Sequence, residues 1–340
     1  MNKNKYKTIC LIILSCYIFM GCSWSKYEID NNEKYEEKRD TEAGITEDTK
    51  ITQESEEKYQ DYISAKKKDE IEIDSESLEL YEAFISGNAS AKFVKEGDST
   101  HIFNLSNALQ DGERYSLAEM EQRICDNCDV AEKWVYENNV SESYIDAGLD
   151  DQYEMKLDIG AATLNMTIIV KNIGGELEIC FVGDSNERSK TDVLYSGEVQ
   201  YTEIIDNDSH KYERGYIDAD GNYKFWVQYK EDSYNIGESE DLYYNEKYIG
   251  TNIGMYVQEF SFNRDFSDSF YSIGLVDKEN NHIEEDNTDP NNPYEIARNL
   301  FTEEGKIILS REEAKKQIDK HRKEIGYDDK LYNYGSHIKQ

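Results

Sequence analysis

Positive charge is scarce in this chain of 340 residues. Lys and Arg together number 38 against 72 Asp and Glu, which leaves a formal net charge of −34 at pH 7. A surface of that sign repels the phosphate backbone of nucleic acids and disfavours lying flat on an anionic membrane. The composition therefore predicts no nucleic-acid partner. It suits cation binding, although acidity by itself mostly serves solubility.

Histidine and the motifs of common enzyme classes are also lacking. The five His residues are scattered without the spacing of a catalytic triad. The sequence contains no G-x-S-x-G, no H-E-x-x-H, no P-loop and no dinucleotide fingerprint. We therefore expect a non-catalytic protein. The alternative is a surface hydrolase that uses two carboxylates, because so many acidic residues must bring some pairs close together.

The N-terminus carries the most specific signal. Three lysines in the first seven residues precede an apolar run at 8–20, which has the length of a secretory h-region and is short for a membrane span. The run ends in FMGC, which resembles the lipobox of bacterial lipoproteins, with Phe19 at the usual Leu position and Gly21 before the cysteine. The resemblance implies that 1–21 is a signal peptide and that acylated Cys22 anchors the protein in the lipid bilayer, on the outer face of the cell membrane. An ordinary signal peptide or an N-terminal membrane anchor is the alternative.

An acidic tether is expected at 22–76. Residues 23–76 carry 18 Asp and Glu and 9 Lys and Arg, with one Gly, no Pro and few large apolar residues. Such a stretch buries too little surface to offset the entropy of ordering it. The remaining residues, 77–340, are numerous enough to bury a core. They are expected to form a globular β-rich domain with helices at its ends.

Apolar residues in 77–340 recur with two spacings, one typical of helices and one typical of strands. Apolar residues at helical spacing predict a helix that ends near Gly87 and a second helix that opens with the capping box Ser116 and Glu119. A last helix begins at Ser310 and stops at Gly326. Alternation of apolar and polar residues predicts strands at 153–159, 164–170, 177–181, 193–204, 211–218, 223–230, 242–249, 255–262 and 269–276. The fold class is therefore α+β, a large antiparallel β-meander flanked by short N-terminal helices and a C-terminal helix. A barrel, a sandwich and an open sheet all fit the pattern.

The cysteine pair CDNC at 125–128 invites a redox interpretation. Its helix, however, places both thiols at the C-terminus, where the helix dipole disfavours the thiolate that a redox C-x-x-C needs. We therefore predict core thiols or a simple disulfide between Cys125 and Cys128. A zinc site would need a fourth ligand, and no His lies at a suitable spacing.

The stretch SYIDAGLDDQYEMKL spaces three acidic residues four positions apart. It resembles the calcium-binding loops of FG-GAP and VCBS-type repeats, which read D-x-[DN]-x-D-G-x-x-[DE]. The resemblance implies Asp146, Asp150 and Glu154 as Ca²⁺ ligands, and Ca²⁺ is the only cofactor expected. Gly148 stands at the third ligand position and Asp151 at the turn glycine, so water and backbone carbonyls would have to complete the six to eight oxygens. A plain connection between strands is the alternative.

A near copy, GYIDADGNY, returns at 215–223. Its Asp-Gly lies between two alternating runs, which is the usual signal of a β-hairpin. Tyr223 stands where an EF-hand loop needs glycine. This second segment is therefore predicted to be a turn.

The order of the segments resembles that of a group of uncharacterised cell-surface lipoproteins of Gram-positive bacteria. The lipobox, the acidic spacer, the YEAFISG helix, the YIDAGLDDQYEMKL segment, the strand-rich middle and the final SREEA helix follow one another as they do there. The resemblance covers most of the chain. It implies a location and no chemistry.

Tyrosine is abundant, with 27 in the chain. Tyrosines cluster in DLYYNEKY at 241–248 and in YKFWVQY at 223–229. Their amphipathic rings suit recognition surfaces, although they also populate the faces of ordinary sheets. We therefore expect a binding module for an extracellular glycan, peptide or protein. A subunit of a surface assembly is a further option, which would show as an exposed apolar patch.

Overall fold

The computed structural model describes residues 64–94, 109–127, 135–161, 164–237, 240–284 and 288–334. Within them the helices are α1 (Ser75–Ile85), α2 (Leu117–Asn127), α3 (Pro293–Glu303), α4 (Arg311–Glu324) and α5 (Asp329–Tyr332). The strands are β1 (Ala91–Phe93), β2 (Arg114–Tyr115), β3 (Val135–Ile145), β4 (Glu154–Ala161), β5 (Leu164–Ile173), β6 (Glu176–Ser185), β7 (Ser189–Val193), β8 (Glu198–Ile204), β9 (Ser209–Ile217), β10 (Tyr223–Tyr234), β11 (Asp241–Tyr244), β12 (Lys247–Thr251), β13 (Ile253–Ser261) and β14 (Phe270–Asp277). The predicted α+β class with an antiparallel meander is confirmed.

The strands form two six-stranded sheets and a separate hairpin. The first sheet has the order β2-β1-β6-β5-β4-β3, and the second has the order β14-β13-β10-β9-β8-β7. All the pairs of neighbouring strands are antiparallel except β1 and β6, which run parallel. β11 and β12 pair only with each other among the described strands. Short turns join most neighbours, as the predicted meander requires.

One face of the first sheet packs against α1 and α2. Met155, Leu157 and Ile159 alternate along β4 and are buried there. Tyr81 and Phe84, one turn apart on α1, pack into the same cluster. Each such side chain contributes roughly 1.5–3 kcal/mol by leaving water. The period-two strand and the period-3.6 helix thus share one apolar interior.

The other face of the first sheet packs against the second sheet. Ile145 and Phe181 of the first sheet belong to the same buried cluster as Ile217 and Tyr223 of the second. The ring centroids of Phe181 and Tyr223 lie 5.4 Å apart. The two sheets therefore share a buried cluster, and neither closes into a barrel among the described strands, because each strand order has two free ends.

Helices α3 and α4 cover the second sheet. Phe301 of α3 packs with Met255 and Leu275 from β13 and β14. Trp226 of β10 donates its indole N–H to the carbonyl of Ile318 in α4 at 3.1 Å. α4 opens with the predicted capping box at Ser310, so the C-terminal helix is confirmed.

In the structure, a turn divides each of two stretches that were predicted as single strands. The stretch 193–204 is interrupted by a turn in which Gly197 has a φ of +87°. The stretch 242–249 is a hairpin whose turn residues Asn245 and Glu246 both have positive φ. Neither turn contains proline or Asn-Gly, the usual turn signals, so both were read as parts of single strands.

The N-terminal boundary and one helix also differ from the expectation. Lys66, placed in the tether from sequence, forms a β-bridge with Tyr144 through two backbone hydrogen bonds of 2.8 Å. α1 begins at Ser75, two residues before the expected domain boundary. α3 was not predicted, although Asn292 caps it and Pro293 opens it.

Candidate functional site

The two YIDA segments lie side by side. The turn at 194–197, between β7 and β8, contacts both of them through the backbone. The N–H of Asp146 donates to the carbonyl of Tyr195 at 2.8 Å, and the N–H of Ile217 donates to the carbonyl of Gly197 at 2.9 Å. We call this meeting of 145–154, 194–197 and 217–222 the YIDA junction. It joins the ends of strands from both sheets.

Glycine is required where the junction is tightest. Gly148 has a φ of +82°, and a Cβ built there would lie 2.7 Å from the backbone nitrogen of Ala219. Gly197 likewise would place a Cβ 2.7 Å from the carbonyl oxygen of Ile217. Real Cβ atoms do not approach that closely, so both positions need the left-handed backbone and the absent side chain.

Asp146 closes the first loop. Its Oδ1 accepts the N–H of Asp150 at 2.8 Å and the N–H of Asp151 at 3.1 Å. Burial raises the pKa of Asp146, and these two backbone hydrogen bonds oppose the rise. The carboxylate therefore holds the turn that carries Leu149 and Asp151, two non-glycine residues with positive φ.

Glu154 is fully buried beneath the loop. Its Oε1 forms an ion pair with the ammonium of Lys171, and its Oε2 accepts the N–H of Ala147 at 2.8 Å. Burial raises the pKa of Glu154 to about 7, against the opposing effect of the Lys171 charge. Burial lowers the pKa of Lys171, but the charge of Glu154, its hydrogen bond and the nearby Asp150 charge together raise it above its ordinary value.

Lys171 is the residue of this site that the sequence interpretation missed. It alternates with the apolar Ile168 and Val170 along β5 and would be expected on the solvated face, yet its side chain is almost wholly buried. The register of the β4–β5 hairpin could have identified Lys171. Ala161 pairs with Leu164 at the turn, and counting outward from that pair places Glu154 opposite Lys171.

The proposed calcium ligands are therefore close in space, with other partners on their oxygens. Asp146 holds the loop backbone, Glu154 holds Lys171, and Asp150 accepts the N–H of Gln152 at 3.0 Å. Within the described ranges, no group of three or more His, Cys, Asp or Glu side chains is arranged to hold a metal ion. A Ca²⁺ ion would have to compete with the ammonium of Lys171. The calcium site remains a prediction.

The second YIDA segment forms a compact five-residue turn. Asp218 accepts the N–H groups of Asp220 and Asn222 through Oδ1, and its own N–H donates to the carbonyl of Asn222 at 3.0 Å. The same pattern recurs at 277–281, where Asp277 accepts the N–H of Asn281. Each turn is thus held by its own aspartate.

The cysteines give no thiol pair within the described residues. Cys125 lies in the last turn of α2, as expected, but its side chain and all of Cys128 lie outside the described part. The disulfide stays a prediction, as does lipidation at Cys22, which also lies outside it. Cys180 is a buried free thiol beside the junction, and burial raises its pKa.

The β11–β12 hairpin has one buried face and one exposed face. Leu242 and Ile249 point into the cluster beneath α3. Tyr243 and Tyr248 form a cross-strand pair on the other face, and the two residues are 54% and 48% exposed. Their ring centroids lie 5.6 Å apart at an angle of 62°. The DLYYNEKY segment therefore presents two aromatic rings to solvent.

Polar contacts fasten the hairpin to the end of α3. The ammonium of Lys247 pairs with Glu303 at 2.7 Å, and Asn245 donates to Glu304. Lys306 donates to the hydroxyl of Tyr244 at 2.9 Å. A two-stranded hairpin is only marginally stable alone, so these contacts and the buried face give it a fixed position.

A partly buried carboxylate lies elsewhere, in β6. Burial raises the pKa of Asp184 to about 6, and the charge of Glu203 in β8 adds to the rise. Asp184 is therefore an acid that can stay protonated closer to neutral pH than an ordinary aspartate. Its own carbonyl accepts the hydroxyl of Thr191 at 2.6 Å, which ties β6 to β7.

Two further observations concern membrane spans and similarity to known proteins. None of the helices in the described residues is long and apolar enough to cross a membrane. Comparison of the chain with protein-family models, with curated proteins and with solved structures finds no match.

Proposed function

We propose that this protein is a lipid-anchored binding module on the outer face of the cell membrane. Acylated Cys22 holds it to the bilayer, the acidic tether separates it from the lipid, and the folded region recognises an extracellular partner without catalysing a reaction. The anchoring is supported by the apolar run at 8–20 followed by Gly21 and Cys22. Two acyl chains on one cysteine suffice for stable attachment.

The observation that carries the binding role is the pair of exposed rings on the β11–β12 hairpin. Apolar side chains in the strands are mostly turned inward, whereas Tyr243 and Tyr248 are about half exposed and adjacent. Tyrosine is enriched in recognition surfaces because its ring supplies apolar contact and its hydroxyl supplies a hydrogen bond. The fixed position of the hairpin lowers the entropy lost on binding.

A hydrolase is the second candidate, and Asp184 is the observation that favours it. A carboxylic acid with a raised pKa beside an ionised carboxylate is the pairing that glycosidases use. The pKa of Asp184 rises to about 6, and Glu203 supplies a neighbouring charge. Release of reducing ends from polysaccharides by the wild type, and its loss in Asp184→Asn, would favour this candidate over the binding module.

Fatty-acid labelling tests the anchor. The full chain is expressed in a bacterial host that is fed an alkyne fatty acid, and label is read on the membrane fraction. We expect label on the wild type, no label on Cys22→Ser, and unchanged label on Cys16→Ser, the matched control inside the apolar run. Protease added to intact cells should then digest the folded region. Equal labelling of Cys22→Ser, or protection from the protease, would remove the proposed location.

A further inference from the structure

We propose that the outer face of the β11–β12 hairpin binds the sugar rings of a neutral polysaccharide. The site consists of Tyr243 and Tyr248 with Asp241 and Thr251 beside them. This inference rests on the proposed binding role, to which it assigns a location and a ligand class.

The two rings offer faces for stacking. A pyranose ring carries C–H groups on its faces and hydroxyls around its edge, and aromatic faces attract such C–H groups through their negative quadrupole. Tyr243 and Tyr248 are adjacent, about half exposed and inclined by 62°. The two ring faces are therefore inclined to each other. They can contact one sugar ring from two sides, or two successive sugar rings of a polysaccharide.

Hydrogen-bonding groups stand at the edge of the pair. The hydroxyls of Tyr248 and Thr251 are 2.8 Å apart, and Thr251 donates to Oδ1 of Asp241 at 2.5 Å. This chain of groups fixes the exposed carboxylate of Asp241 next to the rings. A carboxylate accepts hydrogen bonds from sugar hydroxyls, which lie beyond the edge of a stacked ring.

The face is rigid before any ligand arrives. Leu242 and Ile249 are almost wholly buried on the inner side, and the Lys247–Glu303 ion pair holds the turn end against α3. Tyrosine side chains have only two rotatable bonds, so little conformational freedom is lost when a ligand stacks on them. The arrangement is that of a preformed site.

Size and charge select the ligand class. Two half-exposed tyrosines offer on the order of 200 Å² of contact area, since a whole aromatic side chain buries roughly 150–250 Å². A stable protein partner needs about 800 Å² on each side. The area suits one or two sugar rings. A net charge of −34 repels anionic glycans, so the ligand class that we propose is neutral.

Affinity electrophoresis tests the site on the full chain. The protein is purified in a polyoxyethylene detergent, because sugar-headed detergents would compete for the rings. Native gels contain neutral hydroxyethylcellulose, galactomannan or xyloglucan, or anionic polygalacturonate. We expect retardation in at least one neutral gel, and an affinity at least about tenfold lower for Tyr243→Ala and for Tyr248→Ala, the loss typical of an aromatic anchor.

Control variants separate stacking from folding. Tyr243→Phe keeps the ring and should be retarded like the wild type. Tyr332→Ala removes a tyrosine of similar exposure, 41%, outside the hairpin and should also be retarded like the wild type. Near-ultraviolet circular dichroism checks that each variant is folded.

Two results would overturn the inference. One is no retardation in any neutral gel, whether or not polygalacturonate retards the protein; the other is equal retardation of the wild type and the alanine variants. Labelling of Cys22 is read independently. A labelled, surface-exposed protein that no neutral gel retards would lose only this ligand class, and an unlabelled protein that is retarded would lose only the anchor.

Discussion

Replacing Lys171 with Met leaves the Glu154 carboxylate buried without its cation. Breaking a buried ion pair by removing one partner typically costs about 3–5 kcal/mol, because an uncompensated charge remains out of water. Both side chains are almost wholly buried here, but the buried carboxyl can take up a proton, so we expect a loss of about 1.4 kcal/mol at pH 8 that grows toward this range as the pH rises further. The Oε2 bond to Ala147 survives in the variant and supplies only part of the lost stabilisation.

The pH dependence identifies the cause of that loss. Burial raises the pKa of Glu154 from its ordinary 4.5 to about 7, so the folded state prefers the neutral acid. Below pH 4.5 the carboxyl is protonated in both folded and unfolded states, and Lys171→Met should be nearly neutral. Between pH 4.5 and 7 the unfolded state ionises first, and stability falls as the pH rises. Without Lys171 the folded pKa lies higher, so the variant should keep losing about 1.4 kcal/mol per pH unit above 7.

Denaturant unfolding of the full chain, followed by tryptophan fluorescence at pH 4.5, 6 and 8, measures these differences. The matched control is Lys68→Met, whose ion pair with Glu82 is 48% and 57% exposed, so its removal should change stability little and without the pH dependence expected for Lys171→Met. Adding Glu154→Gln to Lys171→Met should recover most of the loss at pH 8. A cost for Lys171→Met that equals the control, or that does not change with pH, would refute the reasoning.

Three further predictions concern the junction and its surroundings. Gly148→Ala should lower the free energy of unfolding by at least about 2 kcal/mol, whereas Gly112→Ala, with a similar φ of +80° and open space around it, should cost about 1 kcal/mol; equal costs would refute the close contact. Asp184→Asn should raise the free energy of unfolding by on the order of 1–2 kcal/mol at pH 8 and leave it unchanged at pH 3.5. The reason is that the pKa of Asp184 in the folded state, about 6, lies above its ordinary 3.8, so ionisation of Asp184 destabilises the fold. An equal gain at both pH values would contradict this. Lys171→Met should show a larger rise of melting temperature in millimolar calcium relative to chelator than the wild type, because the ammonium competes for Glu154; superimposable curves for both proteins would eliminate the metal site.

Most strands were predictable because their apolar and polar residues alternate along the sequence, which marks both the strand and its buried face. Along β4 the alternation of Met155, Leu157 and Ile159 with polar residues predicted both its type and its buried face. The same rule concealed the turn within 193–204, because a glycine there interrupts the backbone without interrupting the apolar pattern. The pairing of β1 with β6 could not be predicted, because β1 has only three residues and its partner lies far along the chain.

The site was predictable in part. The YIDA repeat marked two loops that do meet, but nothing in either loop says that Gly148 lies against Ala219. Glu154 was singled out as acidic, whereas its burial and its partner Lys171 depend on strand register. Tyr243 and Tyr248 were noticed as a cluster. Which side of the hairpin they occupy depends on the bulge between Leu242 and Tyr243, which local composition does not encode.

The parallel pair β1–β6 has a consequence for the order of folding. β3 to β6 form by closing short hairpins, which is fast, whereas β1 can add to the edge of β6 only after β6 is in place. The segment that carries α1 and β1 leaves the ribosome before the other strands of the first sheet yet completes that sheet last. Until then Tyr81 and Phe84 have no apolar partner, and the exposed edge of β6 is open to strands of other chains. Aggregation during synthesis should therefore be most sensitive to changes in α1 and β1, even where such changes cost little stability in the finished protein.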